Sequence, residues 1–489
     1  MKFAATAVVA ASFLAGLSLG NVPITPERAE ADISKNELQN VLWHFQKIAR
    51  DNGGNRAHGL PGYKASVDFI LERVVKRFGA RLDTYVQPFN ATFNQVKKIE
   101  LTGPAGESVE VYALQFVQQT PSDGASGDLI DTPVDDQRGS GCFEDQWAGI
   151  DAAGKIPLIK RGICALSTKL KLAKERGAVA AVIYNNEPGT PGGATLGSGN
   201  FGQLVPVGLV RQDVGLDWKK RLAAGDQLRV KLLVDAIFEQ RESWNIVSET
   251  KLGDPNNVVM LGAHLDSVQA GPGVNDDGSG SAALLEIVTS FQKYVGYKNK
   301  VRFAWWGAEE LGLLGSLHYT AQLPEAERDK IKFYFNYDMI GSIEPVYLVQ
   351  SDTVAHKYGG QPLFDYLVRN GVTPRYSKFG SSSDYYGFLQ IGIPSAGIFT
   401  GAGAPNDPCY HQACDNLTNI HWDAFQLNAK AAAYVAAKLA LNLDGVPLRN
   451  KTSVNPASRR GVQNGLADLA AAVEVAENHA SCSGELNTF

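Results

Sequence analysis

The residue types that most clearly indicate chemistry follow an apolar run at residues 258–261. His264 and Asp266 come first, and Asp276 lies in the Asn-Asp-Asp-Gly stretch 275–278. An imidazole and several carboxylates in so short a segment are side chains that bind divalent metal ions in proteins. The pattern therefore predicts a strand whose carboxyl end opens into a metal site.

Further side chains of the ligand type follow later apolar runs. Glu309 and Glu310 come after one run, Asp338 after another, and His411 lies in a loop beyond the last predicted strand. Taken singly, each fits an ordinary role as a polar turn residue, a helix cap or a charge that compensates a helix dipole. Together they favour a site, because burying several carboxylates without cations is very costly. Two imidazoles and several carboxylates suit zinc, with manganese and cobalt as alternatives.

Strands and helices alternate around these residues, which predicts an α/β domain. Such alternation gives a mostly parallel sheet sandwiched by helices, and sites in these sheets form at the carboxyl ends of the strands. The candidate ligands fall at those ends. The predicted strands lie at residues 84–93, 96–102, 258–263, 300–306 and 331–339, and the predicted helices at 36–50, 64–78, 279–294, 313–322 and 422–443.

The stretch 121–240 differs from the rest of the chain in its composition and its pattern of apolar segments. Short apolar segments alternate with glycine and proline, one helix is predicted at 167–176, and His, Cys and acidic residues do not cluster there. We predict a separate β-rich module of ordinary domain size without catalytic residues. We interpret it as a stabilising domain that restricts access to the site, with a substrate-binding or lid role as the alternative.

The bulk composition excludes some classes of function. The chain has 489 residues, 44% of them hydrophobic and 20% charged, with a net charge of -5. These values fit a globular protein of more than one domain, and without a basic tract there is no electrostatic basis for binding nucleic acid. Lys2 followed by the apolar run 3–19 predicts a secretory signal peptide, with a membrane anchor as the alternative. We expect a secreted monomer without membrane attachment after cleavage, or delivery to a vacuole or lysosome-like compartment.

The cysteines and glycosylation triplets agree with a secretory route. Cys142 and Cys164 can close one loop, Cys409 and Cys414 can close a much shorter one, and we predict both disulfides. Cys482 is then left over, as a free thiol or one linked outside the chain. Three Asn-x-Ser/Thr triplets predict N-linked glycosylation at Asn90, Asn416 and Asn450.

Taken in chain order, the motifs resemble those of peptidase family M28, the co-catalytic zinc peptidases. They are His264-x-Asp266, Asn275-Asp276-Asp277-Gly278, Glu309-Glu310, Asp338-Met339 and Tyr410-His411. The set is most similar to the aminopeptidase branch, in particular the secreted or vacuolar fungal leucine aminopeptidases of the aminopeptidase Y type. The stretch 121–240 resembles a protease-associated (PA) domain, which many relatives carry at this point. With the N-terminal apolar run, the resemblance divides the chain into a signal peptide (1–20), a candidate pro-segment (21–35), a peptidase domain in two parts (36–120 and 241–445), the insert (121–240) and a tail (446–489).

The resemblance implies two zinc ions per chain and a set of protein ligands for them. His264 and Asp338 bind one zinc ion, Glu310 and His411 bind the other, and Asp276 bridges both. It also implies that the peptide bond after this bridging aspartate is cis.

The resemblance gives the remaining site residues roles in hydrolysis of the first peptide bond of a substrate that has a free N-terminus. Glu309 is the general base for a zinc-bound water, and Asp266 orients the ligand imidazole. The Tyr410 hydroxyl supports the oxyanion, and Met339 lines an apolar pocket for the first side chain. One departure is Ser382, which stands where some bacterial relatives have arginine, so the substrate contacts of this loop are left open.

Two rival functions share this fold. A carboxypeptidase would need an arginine or lysine for the substrate's terminal carboxylate, and the sequence identifies none. A receptor-like member would have lost metal ligands, whereas all five ligand positions and the general base are filled here. A metallo-aminopeptidase that prefers apolar, leucine-like first residues is therefore the leading prediction.

Overall fold

The computed structural model describes residues 22–451. The predicted signal peptide, Cys482 and nearly all of the predicted tail lie outside the described residues. The helices are α1 (Pro26–Ala31), α2 (Lys35–Asp51), α3 (Pro61–Leu71), α4 (Leu166–Glu175), α5 (Gln212–Ala223), α6 (Gly278–Phe291), α7 (Leu314–Gln322), α8 (Glu325–Lys330), α9 (Lys357–Arg369), α10 (Tyr385–Gln390) and α11 (Trp422–Leu441). The strands are β1 (Leu82–Thr102), β2 (Ser108–Val109), β3 (Ala125–Asp131), β4 (Ile156–Lys160), β5 (Ala181–Tyr184), β6 (Val207–Val210), β7 (Arg229–Thr250), β8 (Asp254–His264), β9 (Asn299–Trp306), β10 (Ile331–Tyr337), β11 (Leu348–Gln350), β12 (Arg375–Ser377) and β13 (Ser395–Phe399).

The main domain is built on a mixed sheet with the strand order β12-β11-β13-β10-β8-β9-β7. β8 pairs in parallel with β9 and β10, and β10 pairs in parallel with β13. β7 runs antiparallel to β9, and β11 runs antiparallel to β13. The predicted α/β fold with a mostly parallel sheet is confirmed. Because β8, β9 and β10 are parallel neighbours, their carboxyl ends meet at one edge of the sheet.

Helices cover both faces of this sheet, because successive residues of a strand point to opposite sides. Val259 and Leu261 of β8 pack into a core with side chains of α2, α6 and α11. Val258 and Met260 pack on the other face, with Phe388 of α10 and side chains of α7. The central strand is therefore apolar on both faces, as its uninterrupted hydrophobic run predicts.

The strands predicted at 84–93 and 96–102 form one long strand, β1. It pairs antiparallel with β7 along its length, and a register shift between Val96 and Lys98 marks a β-bulge. A bulge interrupts the alternation of side chains and therefore resembles the end of a strand in the sequence.

The insert has a hydrophobic core of its own. β3, β4, β5 and β6 pair in parallel, and side chains of α4 and α5 are buried against them. Leu114, Phe116 and Val117 also belong to this core, although they precede the stretch 121–240 in the chain. The segment 114–117 is therefore packed with the insert.

The N-terminal segment of the described chain packs on the main domain. Ile24, Ala29 and Ile33, which lie in the predicted pro-segment, are fully buried in the main core. Over residues 22–451, no helix is both long enough and apolar enough to cross a membrane.

Candidate metal centre

The ends of three neighbouring strands bring the candidate ligands together. β8 ends at His264, β9 is followed by the turn that carries Glu309 and Glu310, and Asp338 comes directly after β10. His411 reaches the same edge from the loop that follows β13. The predicted convergence of these side chains at the carboxyl edge of the sheet is therefore present in the fold.

Asp276 lies between the two imidazoles. Its Oδ1 is 3.1 Å from Nε2 of His264, and its Oδ2 is 3.2 Å from Nε2 of His411. A second carboxylate approaches the same nitrogen of each imidazole: Asp338 Oδ1 is 3.7 Å from His264 Nε2, and Glu310 Oε2 is 2.9 Å from His411 Nε2. The five predicted ligands thus form a chain with Asp276 at its centre.

Glu309 stands on the His264 side of this chain. Its Oε2 is 3.8 Å from Nε2 of His264, and His264, Glu309 and Asp338 offer donor atoms close enough together to hold a metal ion. His264, Asp276 and Glu310 form a second such group. Geometry alone does not separate Glu309 from the ligands, so its role as a base rests on the motif.

The electrostatics of the cluster fit a bound cation. Burial, and next the charge of Asp276, raises the pKa of Glu310 above its usual value. Glu310 Oε1 is buried and accepts no hydrogen bond from any described residue. Burial alone would lower the pKa of His411, but Glu310 and Asp276 outweigh it and hold that pKa well above the usual value. Carboxylates this crowded need protons or metal cations to be stable, and imidazole with carboxylate is the donor set that zinc prefers.

Asp266 supports the turn that carries the two glutamates. Its Oδ1 accepts a hydrogen bond from the backbone N–H of Glu309 at 3.1 Å, and its Oδ2 accepts one from Glu310 at 3.4 Å. The Nδ1 atom of His264 lies 3.2 Å from the Asp266 backbone oxygen and 3.7 Å from its carboxylate. Asp266 therefore links the first predicted ligand to the glutamate turn.

The Asp276–Asp277 peptide bond is cis, in agreement with the expectation. Asp277 caps α6 by accepting a hydrogen bond from the backbone N–H of Gly280 at 2.8 Å. It also accepts hydrogen bonds from the backbone N–H groups of His264 and Met339. The ordinary interpretation of an Asn-Asp-Asp-Gly stretch, a turn that caps a helix, therefore applies to Asp277 but not to Asp276.

Tyr410 and Met339 line the site from different loops. The Tyr410 ring stacks on His411 with centroids 3.8 Å apart, and burial together with the nearby carboxylates raises the pKa of its hydroxyl well above the usual value. Met339 is buried, and its backbone is held between Asp277 and Thr400. The phenol is therefore protonated at neutral pH, and the assignment of Met339 to an apolar pocket stays a prediction.

Both predicted disulfides are present. Cys142 is bonded to Cys164 and Cys409 to Cys414. The second disulfide encloses Tyr410 and His411 in a short loop, which restricts the positions that they can adopt.

Sequence reasoning missed two buried aspartates that fasten this loop. Asp415 accepts hydrogen bonds from the backbone N–H groups of Asn275 at 2.9 Å and Asp276 at 3.0 Å. Asp407 accepts from the Asn275 side chain at 2.6 Å and from Asn419 at 2.8 Å. Their positions on either side of the Cys409–Cys414 pair were the available signal.

Arg56 is a second residue that the sequence did not reveal. It is fully buried, and its guanidinium donates to the carbonyl oxygens of Leu265, Pro272 at 2.8 Å and Gly273 at 2.6 Å. These carbonyls belong to the loop between His264 and Asp276. A lone arginine in a glycine-rich turn gives no sign of burial, so no pattern in the sequence predicts this role.

Asp384 is a buried acid beside the site. Its side chain is almost completely shielded from solvent, and burial raises its pKa to about 7 although the charge of His264 opposes this. The neighbouring Ser383 donates to Asp338 Oδ2 at 2.6 Å and accepts from Asn336 at 2.8 Å. The loop that contains Ser382 therefore positions Asp338.

Fold and site together define a metal-dependent peptidase of the α/β class. Residues 245–436 match the model of peptidase family M28, and residues 125–218 match the model of the PA domain. Leucine aminopeptidase 2 of Trichophyton tonsurans is 40% identical over 472 residues, which cover 89% of this chain and 91% of that protein. The chain therefore belongs to peptidase family M28.

Solved structures agree with this assignment. The aminopeptidase from Aneurinibacillus sp. strain AM-1 superposes with a TM-score of 0.73 at 26% identity, over 87% of this chain and 100% of that chain. BSAP, a zinc aminopeptidase from Bacillus subtilis, superposes with a TM-score of 0.63 at 28% identity, over 87% and 97%. The predicted resemblance to M28 peptidases with a PA insert is confirmed, and so is the predicted enzyme class, a metallo-aminopeptidase.

Proposed function

We propose that the protein is a secreted dizinc aminopeptidase that hydrolyses the N-terminal peptide bond of peptides and prefers apolar, leucine-like first residues. The observation that carries the proposal is the position of Asp276, whose two oxygens face the imidazoles of His264 and His411. This arrangement suits one carboxylate shared by two metal ions. The Bacillus subtilis relative, a zinc aminopeptidase, supports zinc as the metal.

Five side chains bind the metals in this proposal. His264 and Asp338 would hold one zinc ion, Glu310 and His411 would hold the other, and Asp276 would be shared by both. Bound zinc would polarise the scissile carbonyl and lower the pKa of a water molecule. The protein fixes the ligands in advance through the hydrogen bonds that hold the backbone of the glutamate turn and of Asp276.

Glu309 moves the proton. Its carboxylate takes a proton from the attacking water and delivers it to the nitrogen of the leaving amine. Burial raises the pKa of Glu309 well above its usual range, although the charge of His264 opposes this. The carboxyl group holds the proton between the two transfers. Removing its charge without changing its shape should therefore stop turnover.

Tyr410 and Asp266 assist in different ways. The protonated Tyr410 hydroxyl donates a hydrogen bond to the oxygen of the tetrahedral intermediate. Asp266 acts through its neighbours, because its carboxylate holds the backbone of Glu309 and Glu310 and its carbonyl oxygen lies against His264.

The acidic wall of the site selects the free N-terminus. Glu309 and Asp338 both lie near His264 and present carboxylates that pair with a substrate ammonium group. A chain that continues beyond the first residue would have to bury an uncharged peptide group there. We assign Met339, the residue after Asp338, to the apolar pocket for the first side chain, which would favour a residue such as leucine.

The secretory assignment rests on the N-terminal apolar run, the two disulfides and the three glycosylation triplets. Asn90 and Asn450 are exposed, and Asn416 is partly buried, with its Oδ1 accepting hydrogen bonds from Thr418. We expect glycans at all three and a monomer, with a vacuolar compartment as the alternative destination. Mass spectrometry of the protein from its natural host would locate the mature N-terminus and the glycans.

A peptide pair tests the proposed activity. The protein is incubated with a leucine-initiated peptide and with its N-acetylated form, and the products are identified by mass spectrometry. We expect release of leucine from the free peptide only, and two equivalents of zinc by metal analysis. Cleavage of the acetylated peptide at its C-terminal end would instead establish a carboxypeptidase. Absence of any peptidase activity in the zinc-loaded protein would favour a receptor-like function.

A further inference from the structure

The turn that carries Glu309 and Glu310 depends on contacts with other segments for its conformation. Its two flanking residues, Ala308 with φ 57° and Leu313 with φ 60°, are left-handed although neither is glycine. Non-glycine residues in this region are less stable by about 1 kcal/mol or more and need support from their surroundings. Asp266 supplies part of that support by accepting the N–H groups of the two glutamates.

The other side of the turn is held by Gln115. Its Nε2 donates a hydrogen bond to the backbone carbonyl oxygen of Glu310 at 2.8 Å. The next residue of the turn, Leu311, packs against the hydrophobic core of the insert. The turn is therefore held between Asp266 of the peptidase sheet, which accepts from its N–H groups, and the insert side, which donates to its carbonyl.

Gln115 is itself fixed by the insert. Its backbone N–H donates to the carbonyl oxygen of Ala194 at 3.0 Å, and its carbonyl oxygen accepts from Leu196 at 2.9 Å. The following residue, Phe116, is buried in the insert core, and its N–H donates to Asn94 Oδ1 at 2.8 Å. The side chain that reaches Glu310 thus starts from a backbone that is anchored on both sides.

We propose that Gln115 is a positioning residue for Glu310, and that through it the insert sets the geometry of the metal pair. This inference rests on the proposed function, in which Glu310 binds one of the two zinc ions. A ligand carboxylate follows its own backbone, so releasing the Glu310 carbonyl moves the carboxylate relative to His411. The insert is then part of the metal site's support and not only a cover over it.

Two substitutions at Gln115 test the proposal in the full-length protein. Gln115→Met keeps the length of the side chain without an N–H donor, and Gln115→Glu places an oxygen against the Glu310 carbonyl. Gln119→Met, at an exposed position a few residues further along the chain, is the matched control. Each protein is stripped with a chelator and titrated with Co²⁺ alone, and the visible absorption of the bound metal is recorded for each equivalent.

We expect both Gln115 variants to bind one Co²⁺ equivalent as the parent does and the other about tenfold more weakly, with an altered absorption band for that equivalent. The glutamate variant should show the larger loss, and the control none. Unchanged binding of both equivalents and unchanged spectra in both variants would overturn the inference. Equal weakening of both equivalents would also overturn it, since that result indicates general destabilisation.

This outcome is separate from the fate of the proposed function. If the parent protein binds two metal ions and releases N-terminal leucine while the Gln115 variants match it, only the role of Gln115 is rejected. If the parent protein binds no metal pair, the proposed function fails first.

Discussion

The Oε2 atom of Glu310 lies 2.9 Å from the Nε2 atom of His411, and the His411 side chain is 41% exposed. Burial opposes the charge on this imidazole, but Glu310 and Asp276 outweigh it, hold the pKa of His411 well above the usual value and favour the protonated form. A metal ion between these two atoms would replace the proton. Metal binding and proton release are therefore coupled at this site.

The stability of the metal-free protein should fall as pH rises. Burial raises the pKa values of Asp266, Asp384 and Asp415 to about 7, above the value of about 4 expected in the unfolded chain. The folded state therefore binds more protons than the unfolded state between about pH 4 and about pH 7. These protonated carboxyl groups therefore stabilise the folded state at the acid end of this window. The stabilisation is lost as the pH rises through the window. The raised pKa values of the imidazoles act in the same direction.

Thermal unfolding measured with and without zinc checks this prediction. We expect the melting temperature of the chelator-treated protein to drop between about pH 5 and about pH 8, and the zinc-loaded protein to lose less. The Asp276 carboxyl, whose pKa is lowered by its two imidazole partners despite burial, titrates below this window and does not change the sign. A metal-free protein that gained stability over the same range would contradict the assignment of these groups.

Glu309→Gln should abolish turnover while preserving metal binding. The amide has the shape of the carboxylate but cannot carry the proton, so kcat should fall by about 100- to 10,000-fold. Metal content, measured by inductively coupled plasma mass spectrometry, should stay at the value of the parent protein. Glu242→Gln, at an exposed position of β7, is the control. If the metal content falls with activity, Glu309 is a ligand instead of a base.

Three of the five predicted ligands, His264, Glu310 and Asp338, could be placed from the sequence because each follows a recognisable apolar run. Asp276 and His411 lie in loops and were assigned from the resemblance to family M28. His264, Asp338 and the glutamate pair follow strands whose hydrophobic runs mark them as central. Parallel pairing then brings their ends to one edge without knowledge of any contact. The spacing of apolar residues predicted α2, α3, α4, α6, α7 and α11, whose observed ends lie within a few residues of the predicted ones except at the end of α3. The helices α5 and α9 were not predicted.

What holds those ligands could not be predicted, because it depends on contacts between segments far apart in the chain. Arg56 contacts a loop more than 200 residues later, and Gln115 contacts Glu310 from the insert side. Neither residue belongs to a periodic pattern, and a single arginine or glutamine is most often a surface residue. Asp415 was closer to recognition, since it directly follows the cysteine pair that encloses His411.

Asp415→Asn should loosen the bridging aspartate. The carboxylate accepts from the backbone N–H groups of Asn275 and Asp276 and from Asn419, and an amide group can accept with only one of its two atoms. We expect a loss of about 1–3 kcal/mol in the free energy of unfolding, together with weaker binding of both metal ions. Urea unfolding and a zinc competition titration measure the two effects. Asp423→Asn, whose side chain is 82% exposed on α11, should change neither by comparison.

Arg56→Met should destabilise the protein more than any of these changes. Methionine retains most of the apolar stem, but it lacks the guanidinium that lies over the Phe45 ring. It also leaves the carbonyls of Leu265, Pro272 and Gly273 without their buried donor. Losing a fully buried cation that serves several acceptors should reduce the free energy of unfolding by about 3 kcal/mol or more. Because these carbonyls lie between His264 and Asp276, zinc affinity should fall as well.

Arg50→Met is the matched control for this last substitution. Arg50 lies near the end of α2 with its side chain 69% exposed, paired with Asp51 at 3.1 Å. An exposed ion pair of this kind contributes little, so the free energy of unfolding should change by no more than about 0.5 kcal/mol. Chemical denaturation of the two variants and the parent protein measures the difference in their free energies of unfolding. Equal stability of the Arg56 variant and the control would show that the loop between the two ligands holds its shape without the buried guanidinium.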